Sequence, residues 1–428
     1  MNKINVAILG FGTVGQGVVK ILQKNTNQWV KKCGAEIRVK KVLVKDLQKE
    51  REVKLPTGVI TTEWQEIVQD PEIEVIIELM GGIEPARTYI LEALRKGKYL
   101  VTANKDLLAE YGEEIFDTCQ EANRELYFEA SVGGGIPIIN PLKQSLIGNN
   151  MEKVMGIVNG TTNYILSKMS QEGKTFAAAL QEAQQLGYAE SDPTADVEGL
   201  DAARKIAILA SIAFHTRVKF QDVYVEGITK ISPEDLEYAQ QLGYAIKLLG
   251  IGIAQDDQVE VRVHPALIPL DHPLASVHDS FNAIFAQGDA VGETMFYGQG
   301  AGQLPTASSV VGDLLTVIND IKTNSIRSTC TCYEPKKIKP MGEVSTNYFL
   351  RLQVLDRPGV LANIAGVFGN YGVSLASVVQ KGCFQDVAEL VMITHKVREK
   401  DIQDSLEIIR ELPITKEIVN LIRVEGME

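Results

Sequence analysis

The sequence predicts an α/β protein with three successive folded parts. Three observations lead to this prediction. A glycine motif lies between a strand-like and a helix-like segment near the N-terminus, strands and helices alternate after it, and residues 347–428 follow a β-α-β-β-α-β pattern. At 428 residues the chain is long enough for two or three domains with large hydrophobic cores.

A glycine motif follows the first apolar run of the chain. Residues 4–9 read as a buried strand, a G-x-G-x-x-G motif comes next, and a helical period follows it. The motif comprises Gly10, Phe11, Gly12, Thr13, Val14 and Gly15. Its first glycine permits a tight turn, its second lets a pyrophosphate approach the backbone, and its third lets the helix pack close to the strand. This order predicts a Rossmann-type dinucleotide-binding domain whose helix start faces the phosphates.

Strand-like and helix-like segments alternate through the rest of this domain, which we assign to residues 1–130. Strands are predicted at 36–44, 75–80 and 99–102, and helices at 85–96 and 106–122. Ligands of parallel sheets lie at the carboxyl ends of the strands, which here carry Gly81 and Lys105. Lys105 is therefore a candidate functional residue. A solvated lysine at a helix start is the alternative, but the helix dipole disfavours a cation there.

The end of the second strand carries the signal for cofactor choice. An acid there binds the ribose 2′-hydroxyl of NAD, whereas a base accommodates the 2′-phosphate of NADP. Lys45 and Asp46 offer both signs of charge, and Arg38 lies on the same strand. We expect NADP to be bound through Lys45 and Arg38, and the use of NAD stays open.

Residues 131–302 read as a mixed α/β domain for substrate binding, catalysis and dimerisation. A strand at 126–130 leads into it, and within it strands are predicted at 155–158, 247–254, 259–268, 280–287 and 291–297, with a helix at 176–186. A second glycine turn, residues 298–302, opens a helix over 305–319. That helix is long enough to pack back on the nucleotide domain, to which we assign residues 303–320.

Two small-residue turns in the middle domain are candidate ligand sites. Three glycines follow Glu129 within a few residues, and the carbonyls of this bent backbone could form an oxygen cage with Glu129 for a hard cation. A plain hinge is an equal alternative. The N-G-T-T-N turn, residues 159–163, suits a small zwitterionic ligand, whereas an ordinary helix cap is its alternative.

Residues 187–205 concentrate charge ahead of an apolar run that predicts a buried helix. Asp201 and Lys205 are four residues apart, so they share one face of that helix. A lysine beside a carboxylate at the head of an apolar helix fits a proton-transfer pair. For such a pair taken at random, a surface ion pair is the commoner case.

The net charge and the number of cysteines limit the kinds of partner and the cellular compartment that fit the sequence. The net charge of −12 argues against nucleic acid or an anionic membrane as partner, and no apolar run reaches the length of a bilayer span. Five scattered cysteines and an N-terminus without a cleavable signal predict a cytoplasmic protein. Cys330-Thr331-Cys332 could suggest metal or redox chemistry, but without a second Cys/His pair nearby linker cysteines are favoured.

The C-terminal part begins after a predicted linker, residues 321–346, which is rich in Lys, Pro, Ser and Thr. The predicted strands are 347–355, 372–379, 388–394 and 418–424, and the predicted helices run from the D-R-P-G-V-L turn through 368 and over 399–411. This order predicts a ferredoxin-like module.

Six ordered motifs between residues 4 and 320 resemble the homoserine dehydrogenase family. They are G-F-G-T-V-G, T-A-N-K, E-A-S-V-G-G-G-I-P, N-G-T-T-N-Y-I-L, L-G-Y-A-E-S-D-P-T-A-D-V-E-G-L-D-A-A-R-K and G-Q-G-A-G-Q-L-P-T-A. The resemblance implies reversible reduction of L-aspartate 4-semialdehyde to L-homoserine with NAD(P)H. This step lies on the way to threonine, methionine and isoleucine.

The same resemblance implies a role for each site residue. Lys205 would exchange the proton at the alcohol or aldehyde oxygen, and Lys105 would orient the nicotinamide and that oxygen. The residues implied to line the substrate pocket are Glu190, Asp201, Asp196, Gly160 and Thr162. Those implied to lie near the cofactor are Gly187, Glu190 and Gly302. A sodium-like cation would be held by Glu129 and the backbone oxygens of Val132, Gly134 and Ile136. Asp201 and Lys205 are both expected to open into the cleft between the first two domains.

The segment from the D-R-P-G-V-L turn to N-Y-G-V-S resembles the ACT regulatory domain. Such domains pair across subunits and bind amino acids at the strand–helix turn. The resemblance therefore implies a dimer or tetramer, with Asp356, Gly359 and Asn363 near an effector and threonine as inhibitor. A dimerisation module without an effector is the alternative.

Two rival functions stay open for the whole chain. One is another amino-acid dehydrogenase of similar build, against which the acid and lysine block at 190–205 and the N-G-T-T-N turn argue. The other is a non-catalytic sensor of amino acids and nucleotides. The presence of Lys105, Glu190, Asp201 and Lys205 argues against that reading.

Overall fold

The computed structural model of the chain describes residues 2–24, 26–325, 330–384 and 386–426. The chain divides into two compact units. The first unit comprises Met1–Val154, Arg204–Gln221 and Asn282–Lys336, and the second comprises Met155–Ala203, Asp222–Phe281 and Lys337–Glu428. Within the described ranges, no helix combines the length and the apolar character that crossing a bilayer requires.

Strands and helices alternate through the N-terminal half of the chain. The strands are β1 (Asn2–Leu9), β2 (Ala35–Leu43), β3 (Ile60–Thr61), β4 (Ile73–Glu78), β5 (Tyr99–Thr102), β6 (Leu126–Tyr127), β7 (Met151–Ile157) and β8 (Tyr224–Val225). The helices are α1 (Thr13–Lys24), α2 (Thr26–Cys33), α3 (Gln65–Val68), α4 (Ala86–Arg95), α5 (Lys105–Ala122), α6 (Gly160–Glu172), α7 (Phe176–Gln185), α8 (Thr194–Val197) and α9 (Leu200–Ala213).

The C-terminal half contains longer strands. They are β9 (Tyr244–Gln255), β10 (Gln258–Pro269), β11 (Phe281–Gly288), β12 (Gly292–Gln299), β13 (Lys337–Ile338), β14 (Ser345–Leu355), β15 (Leu375–Phe384), β16 (Val387–Thr394), β17 (Val397–Arg398) and β18 (Thr415–Val424). The helices are α10 (Pro233–Gln241), α11 (Gln303–Thr323), α12 (Val360–Asn370) and α13 (Glu399–Glu411).

A six-stranded parallel sheet organises the first unit. Its strand order is β3-β2-β1-β4-β5-β6, which is the order of a Rossmann fold. The central strands β1 and β4 read as apolar runs because helices cover both faces of such a sheet. The predicted Rossmann-type domain is therefore confirmed.

Helix α11 packs on the nucleotide-binding sheet and on α1, as the sequence predicted for residues 303–320. Val310, Leu314 and Val317 share one buried core with Val18 and Val19 of α1. A side chain at Gly17 would lie 2.6 Å from the backbone oxygen of Gln303, so the two helices approach closely at that point. The helix thus belongs to the nucleotide domain in space, although it follows the middle domain in sequence.

The predicted strand over residues 126–130 is wrong in its second half. β6 ends at Tyr127, and Glu129–Ser131 form a 3-10 turn. The turn is fixed because the Glu129 carboxylate accepts the backbone N–H groups of Ile138 and Ile139 at 2.5 and 2.7 Å. Because these hydrogen bonds hold residues 138 and 139 at the Glu129 side chain, the chain turns at Glu129 and the strand does not continue.

The second unit is built on one sheet with the order β9-β10-β18-β14-β16-β15. β9 and β10 form a long antiparallel hairpin, and α6 and α10 pack on β9. β14, α12, β15, β16, α13 and β18 form the predicted ferredoxin-like module, with Tyr348, Ile364 and Leu406 in its core. Because β18 pairs with β10, this module continues the sheet of the middle segment.

The predicted linker, residues 321–346, is largely ordered structure. Its start belongs to α11, β13 pairs with β10, and β14 begins at Ser345. The backbone N–H of Glu334 donates to the oxygen of His215 at 2.8 Å, and Tyr333 stacks on the His215 ring. Residues 326–329 of the predicted linker lie outside the described residues. Backbone pairing with distant residues holds the described part of this segment, which its composition does not indicate.

Candidate active site

The glycine loop between β1 and α1 has the geometry of a phosphate cradle. Gly10 has φ of 96°, and a Cβ there would lie 2.6 Å from the backbone oxygen of Leu79. A Cβ on Gly15 would lie 2.3 Å from the oxygen of Gly10. In contrast, a Cβ on Gly12 would meet no described atom within 4 Å. Gly10 and Gly15 are therefore required by the fold, whereas Gly12 leaves open space beside the helix start for a ligand.

Replacing Gly12 by alanine is expected to weaken dinucleotide binding by about 10-fold and to leave the melting temperature nearly unchanged, because only the ligand space is filled. Fluorescence titration with NADPH and thermal melting measure the two effects. Gly15→Ala is the matched control and should lower the melting temperature by several degrees, because its Cβ meets the Gly10 oxygen. Unchanged NADPH affinity in Gly12→Ala would place the cofactor elsewhere.

The residues predicted to select the cofactor separate in the structure. Lys45 is exposed just after β2, beside Val44, whose N–H donates to Thr61. Arg38 pairs in register with Asn5, five residues before the end of β2. At about 3.3 Å per residue this places Arg38 roughly 16 Å from the carboxyl edge of the sheet. The structure therefore brings Lys45 to the ligand edge of the sheet and leaves Arg38 away from it.

Lys105 begins α5 on a turn fixed by a buried carboxylate. Glu78, the last residue of β4, is fully buried and accepts the hydroxyl of Thr102 at 2.6 Å and the N–H of Met80 at 2.7 Å. Asn104 caps α5 and donates its amide to the oxygen of Gly82 at 2.7 Å. Burial raises the pKa of Glu78. Glu78, which no sequence motif marks as functional, joins the turns that carry Gly81 and Lys105.

Lys205 lies in the first turns of α9, and both lysine-bearing helices belong to the first unit at these positions. Asp106, the neighbour of Lys105, and Arg204, the neighbour of Lys205, form an ion pair at 3.1 Å. The helix starts are therefore fastened together at the residues next to the two lysines. Both lysines are partly exposed. A lysine ammonium group can stabilise negative charge on a substrate oxygen and can move a proton to it.

Two of the acidic residues in the segment 187–205, Asp196 and Asp201, accept hydrogen bonds from one side-chain amide in the second unit. Asn159 donates to the carboxylates of Asp196 at 2.7 Å and Asp201 at 2.9 Å. Its own side-chain oxygen accepts the N–H and the hydroxyl of Thr162 at 2.9 and 3.0 Å, so it also caps α6. Asp201 is buried. The structure thus joins Asp196, Asp201 and Thr162 through Asn159, a residue whose capping role the sequence suggested but whose bridging role it did not.

The remaining predicted ligand residues of the second unit lie around the α7–α8 connection. Gly187 has φ of 77°, and Glu190 is exposed. The hydroxyl of Thr161 donates to the oxygen of Tyr188 at 2.7 Å, which holds this connection against the start of α6 at Gly160. Of the predicted substrate residues, Gly160 therefore begins α6, and Glu190 lies on the connection that is hydrogen-bonded to the start of α6 through Tyr188.

A buried lysine supports the other side of α6. Lys247 on β9 donates to the oxygen of Val277 at 2.5 Å and to the side-chain oxygen of Asn163 at 3.3 Å. Burial lowers the pKa of Lys247 to about 8. Asn163 in turn donates to the oxygens of Val277 and Phe281. This network fixes the helix that begins with the N-G-T-T-N turn.

Lys247 should make stability rise with pH. Its folded-state pKa is lowered, whereas an unfolded lysine titrates near about 10.4, so the cost of burying the charge is complete below about pH 8 and disappears above about pH 10.4. We expect the stability of the wild type relative to Lys247→Met to increase by on the order of 2 kcal/mol between these limits. Urea unfolding of both proteins across this range measures it. A difference independent of pH would contradict the assignment.

The predicted cation site surrounds two buried carboxylates in the first unit. Glu129 accepts the N–H groups of Ile138, Ile139 and Asn140, and Asp313 accepts the N–H of Glu129 at 2.8 Å. Burial raises the pKa of Glu129; burial and then the charge of Glu129 raise that of Asp313 to about 8. The remaining members of the predicted site are Val132, Gly134, whose oxygen accepts the hydroxyl of Ser309 at 2.7 Å, and Ile136. Gly302 caps α11.

The predicted effector site is a groove in the second unit. Asp356 and Gly359 line it, with Gln380 and Ala388 opposite, and its volume is about 420 Å³. The amide of Gln380 donates to the carboxylate of Asp356 at 3.1 Å. Asn363 lies one turn further along α12 and is not among the described lining residues. Two of the three predicted residues therefore meet at one groove.

Comparisons with known proteins agree with this arrangement. The family models "Homoserine dehydrogenase, NAD binding domain", "Homoserine dehydrogenase" and "ACT domain" match residues 10–129, 137–315 and 348–414. The homoserine dehydrogenase of Bacillus subtilis is 46% identical, over 100% of this chain and 99% of that protein.

Solved structures of similar proteins agree as well. A crystal structure of a homoserine dehydrogenase from Thiobacillus denitrificans has a TM-score of 0.94 at 42% identity, covering 100% of this chain and 99% of that chain. A hyperthermophilic archaeal homoserine dehydrogenase in complex with NADPH has a TM-score of 0.64 at 28% identity, covering 76% of this chain and 100% of that chain. The chain therefore belongs to the homoserine dehydrogenase family, as an NAD(P)-dependent oxidoreductase of amino-acid biosynthesis that carries a C-terminal ACT domain.

Proposed function

We propose that the protein catalyses the reversible reduction of L-aspartate 4-semialdehyde to L-homoserine with NADPH, in the biosynthesis of threonine, methionine and isoleucine. The observation that carries this proposal is the Arg204–Asp106 ion pair, which joins the two lysine-bearing helices within the unit that also contains the glycine loop. This arrangement supplies two ammonium groups in the unit that carries the dinucleotide motif.

Each residue has one task in the proposed mechanism. When bound, the nicotinamide supplies or takes the hydride at the reacting carbon. Lys205 takes the hydroxyl proton in the oxidation and returns it in the reduction, and Lys105 orients the same oxygen and offsets its charge. Asp201 and Glu190 hold the substrate ammonium, since carboxylates form charge-assisted hydrogen bonds with it. Asp196, Gly160 and Thr162 keep this pocket in shape, and Gly187 and Gly302 lie near the cofactor.

Initial-rate assays test the proposed function. The purified chain should oxidise L-homoserine with NADP⁺, with formation of an aldehyde that a hydrazine reagent traps. L-Aspartate and meso-diaminopimelate, the substrates of the rival amino-acid dehydrogenases, should give no reaction. A chain that binds NADPH but oxidises none of the three would instead be a sensor.

Cofactor selection rests on Lys45, the basic residue at the ligand edge of the sheet, and the archaeal relative solved with NADPH supports NADP. We expect Lys45→Ala to lower kcat/KM for NADP⁺ by about 10-fold and for NAD⁺ by no more than about twofold, because only NADP carries the 2′-phosphate. Lys49→Ala, on the same exposed loop, is the matched control and should leave both values unchanged. Equal losses with both cofactors would remove Lys45 from this role.

The cation site is proposed to hold a monovalent ion such as Na⁺. Glu129 and Asp313 are neighbouring buried carboxylates, because Asp313 accepts the backbone N–H of Glu129 at 2.8 Å, and a bound cation would favour their ionised forms. Glu129 and the backbone oxygens of Val132, Gly134 and Ile136 would hold the ion.

Regulation by an amino acid is proposed at the Asp356 groove, with threonine as the inhibitor. The carboxylate of Asp356 offers a partner for the effector's ammonium, and the helix start at Gly359 offers N–H groups for its carboxylate. Since β18 pairs with β10, the module that binds the effector shares a sheet with the middle segment. The homoserine assay repeated with L-threonine tests the effector: inhibition is expected, and inhibition that persists in Asp356→Asn would contradict the assigned groove.

We further propose that the protein is a cytoplasmic homo-oligomer, either a dimer or a tetramer.

A further inference from the structure

Two thiols separated by one residue follow α11, and the proposed reaction uses neither of them. Cys330 and Cys332 are partly exposed and in the reduced form. Both line a pocket of the first unit, together with Phe116, Phe128 and Arg217. The described residues place no third metal-ligating side chain with them, so a closed metal site does not account for the pair.

The surroundings of the two sulfurs differ. The guanidinium of Arg217 lies beside the sulfur of Cys330, with Nη2 at 3.7 Å from it. Interaction with Cys332 first, and then the positive charges of Arg217 and Lys143, lower the pKa of Cys330. The same interaction raises the pKa of Cys332. Cys330 is thus the more readily ionised thiol of the two.

The backbone holds the pair in place. Cys332 Sγ lies 3.8 Å from the oxygen of Ser211 on α9, and the N–H groups of Glu334 and Lys336 donate to His215 and Thr216 at 2.8 and 3.1 Å. A partly exposed thiol beside a guanidinium, with a second partly exposed thiol one residue away in the same pocket, has the parts of a redox site: a nucleophile, a resolving thiol and access.

We propose that Cys330 and Cys332 form a reversible thiol–disulfide site that reacts with hydroperoxides. The Cys330 thiolate attacks one oxygen of hydrogen peroxide, the O–O bond breaks, and the departing hydroxide takes up a proton as water. Cys330 is then a sulfenic acid. The Cys332 sulfur loses its proton and attacks the sulfenic sulfur, so that the S–S bond forms and the hydroxyl leaves as a second water. Two electrons pass from the two thiols to the peroxide.

Peptide mass spectrometry of the full-length protein tests this site after treatment with a small molar excess of hydrogen peroxide. The wild-type peptide spanning residues 330–332 should lose the mass of two hydrogens, and dithiothreitol should restore it. Cys332→Ser should stop at a Cys330 sulfenic acid that dimedone traps. Cys33→Ser, which changes a buried thiol of the same unit, is the control and should leave the reaction unchanged.

A second measurement on the wild type needs no variant. Cys330 should react with iodoacetamide about 10-fold faster than Cys33 or Cys119 at neutral pH, because both of those thiols are buried. Arg217→Gln should slow this reaction at neutral pH and not at alkaline pH. Alkylation of Cys330 no faster than that of the buried thiols, or peroxide treatment that yields only sulfinic acid without the S–S bond, would overturn the proposal.

Discussion

Lys205→Met is expected to lower kcat for homoserine oxidation by about 10³-fold, the effect of removing a general acid–base group. Methionine keeps the length of the side chain, so the helix should stay folded and NADPH should bind with unchanged affinity. The change removes only the group that exchanges the proton with the substrate oxygen. Steady-state kinetics with homoserine and NADP⁺, and fluorescence titration with NADPH, measure the two quantities.

Lys219→Met provides the matched control for this experiment. Lys219 follows the same helix in the same unit and forms an exposed ion pair with Glu113 at 3.6 Å. Its replacement should leave kcat within about twofold, because exposed ion pairs contribute little. Near-normal turnover in Lys205→Met would assign the proton transfer to another residue, with Lys105 as the first candidate.

Asp201→Asn is expected to lower kcat/KM for homoserine by about 100-fold, mainly through a higher KM. The neutral amide loses the charge-assisted bond to the substrate ammonium, which is worth up to about 3 kcal/mol. The amide oxygen still accepts the hydrogen bond from Asn159, so the melting temperature should change little. Kinetics across a range of homoserine concentrations separate the effect on KM from that on kcat.

Asp196→Asn distinguishes ligand binding from support. Asp196 and Asp201 accept from the same amide of Asn159, at 2.7 and 2.9 Å. If Asp201 acts only by holding Asn159, the two variants should have equal effects. The proposed role predicts a loss of only about fivefold in Asp196→Asn, because this residue supports the pocket without holding the ammonium.

The fold of the nucleotide domain could be predicted from the sequence because each of its elements is specified by residues close together in the chain. The glycine motif, the apolar strands and the helix that begins near Lys105 each follow from spacing within a few residues. The carboxyl-edge rule then placed Gly81 and Lys105 correctly relative to the sheet. By the same rule, Lys45 lies at the ligand edge of the sheet because it follows the end of β2. Arg38, which the sequence predicted to act with Lys45, lies well before that end.

The supporting contacts could not be predicted because they join distant parts of the chain. Glu78 reads as the polar end of a strand, and only packing shows that it binds Thr102 and Met80. Asp106 and Arg204 carry no signal of their ion pair in either local sequence. Cys330 and Cys332 read as linker cysteines, since only the folded chain brings Arg217 to them.

In the proposed mechanism, α9 presents Asp201 to the ammonium and Lys205 to the reacting oxygen of one substrate molecule. A crystal structure of the chain grown with L-homoserine shows directly which side chains contact the substrate. We expect the substrate ammonium about 3 Å from the Asp201 carboxylate and the substrate hydroxyl about 3 Å from Lys205 Nζ. A bound homoserine that contacts neither side chain, with either one directed into bulk solvent, would contradict the catalytic role of this helix.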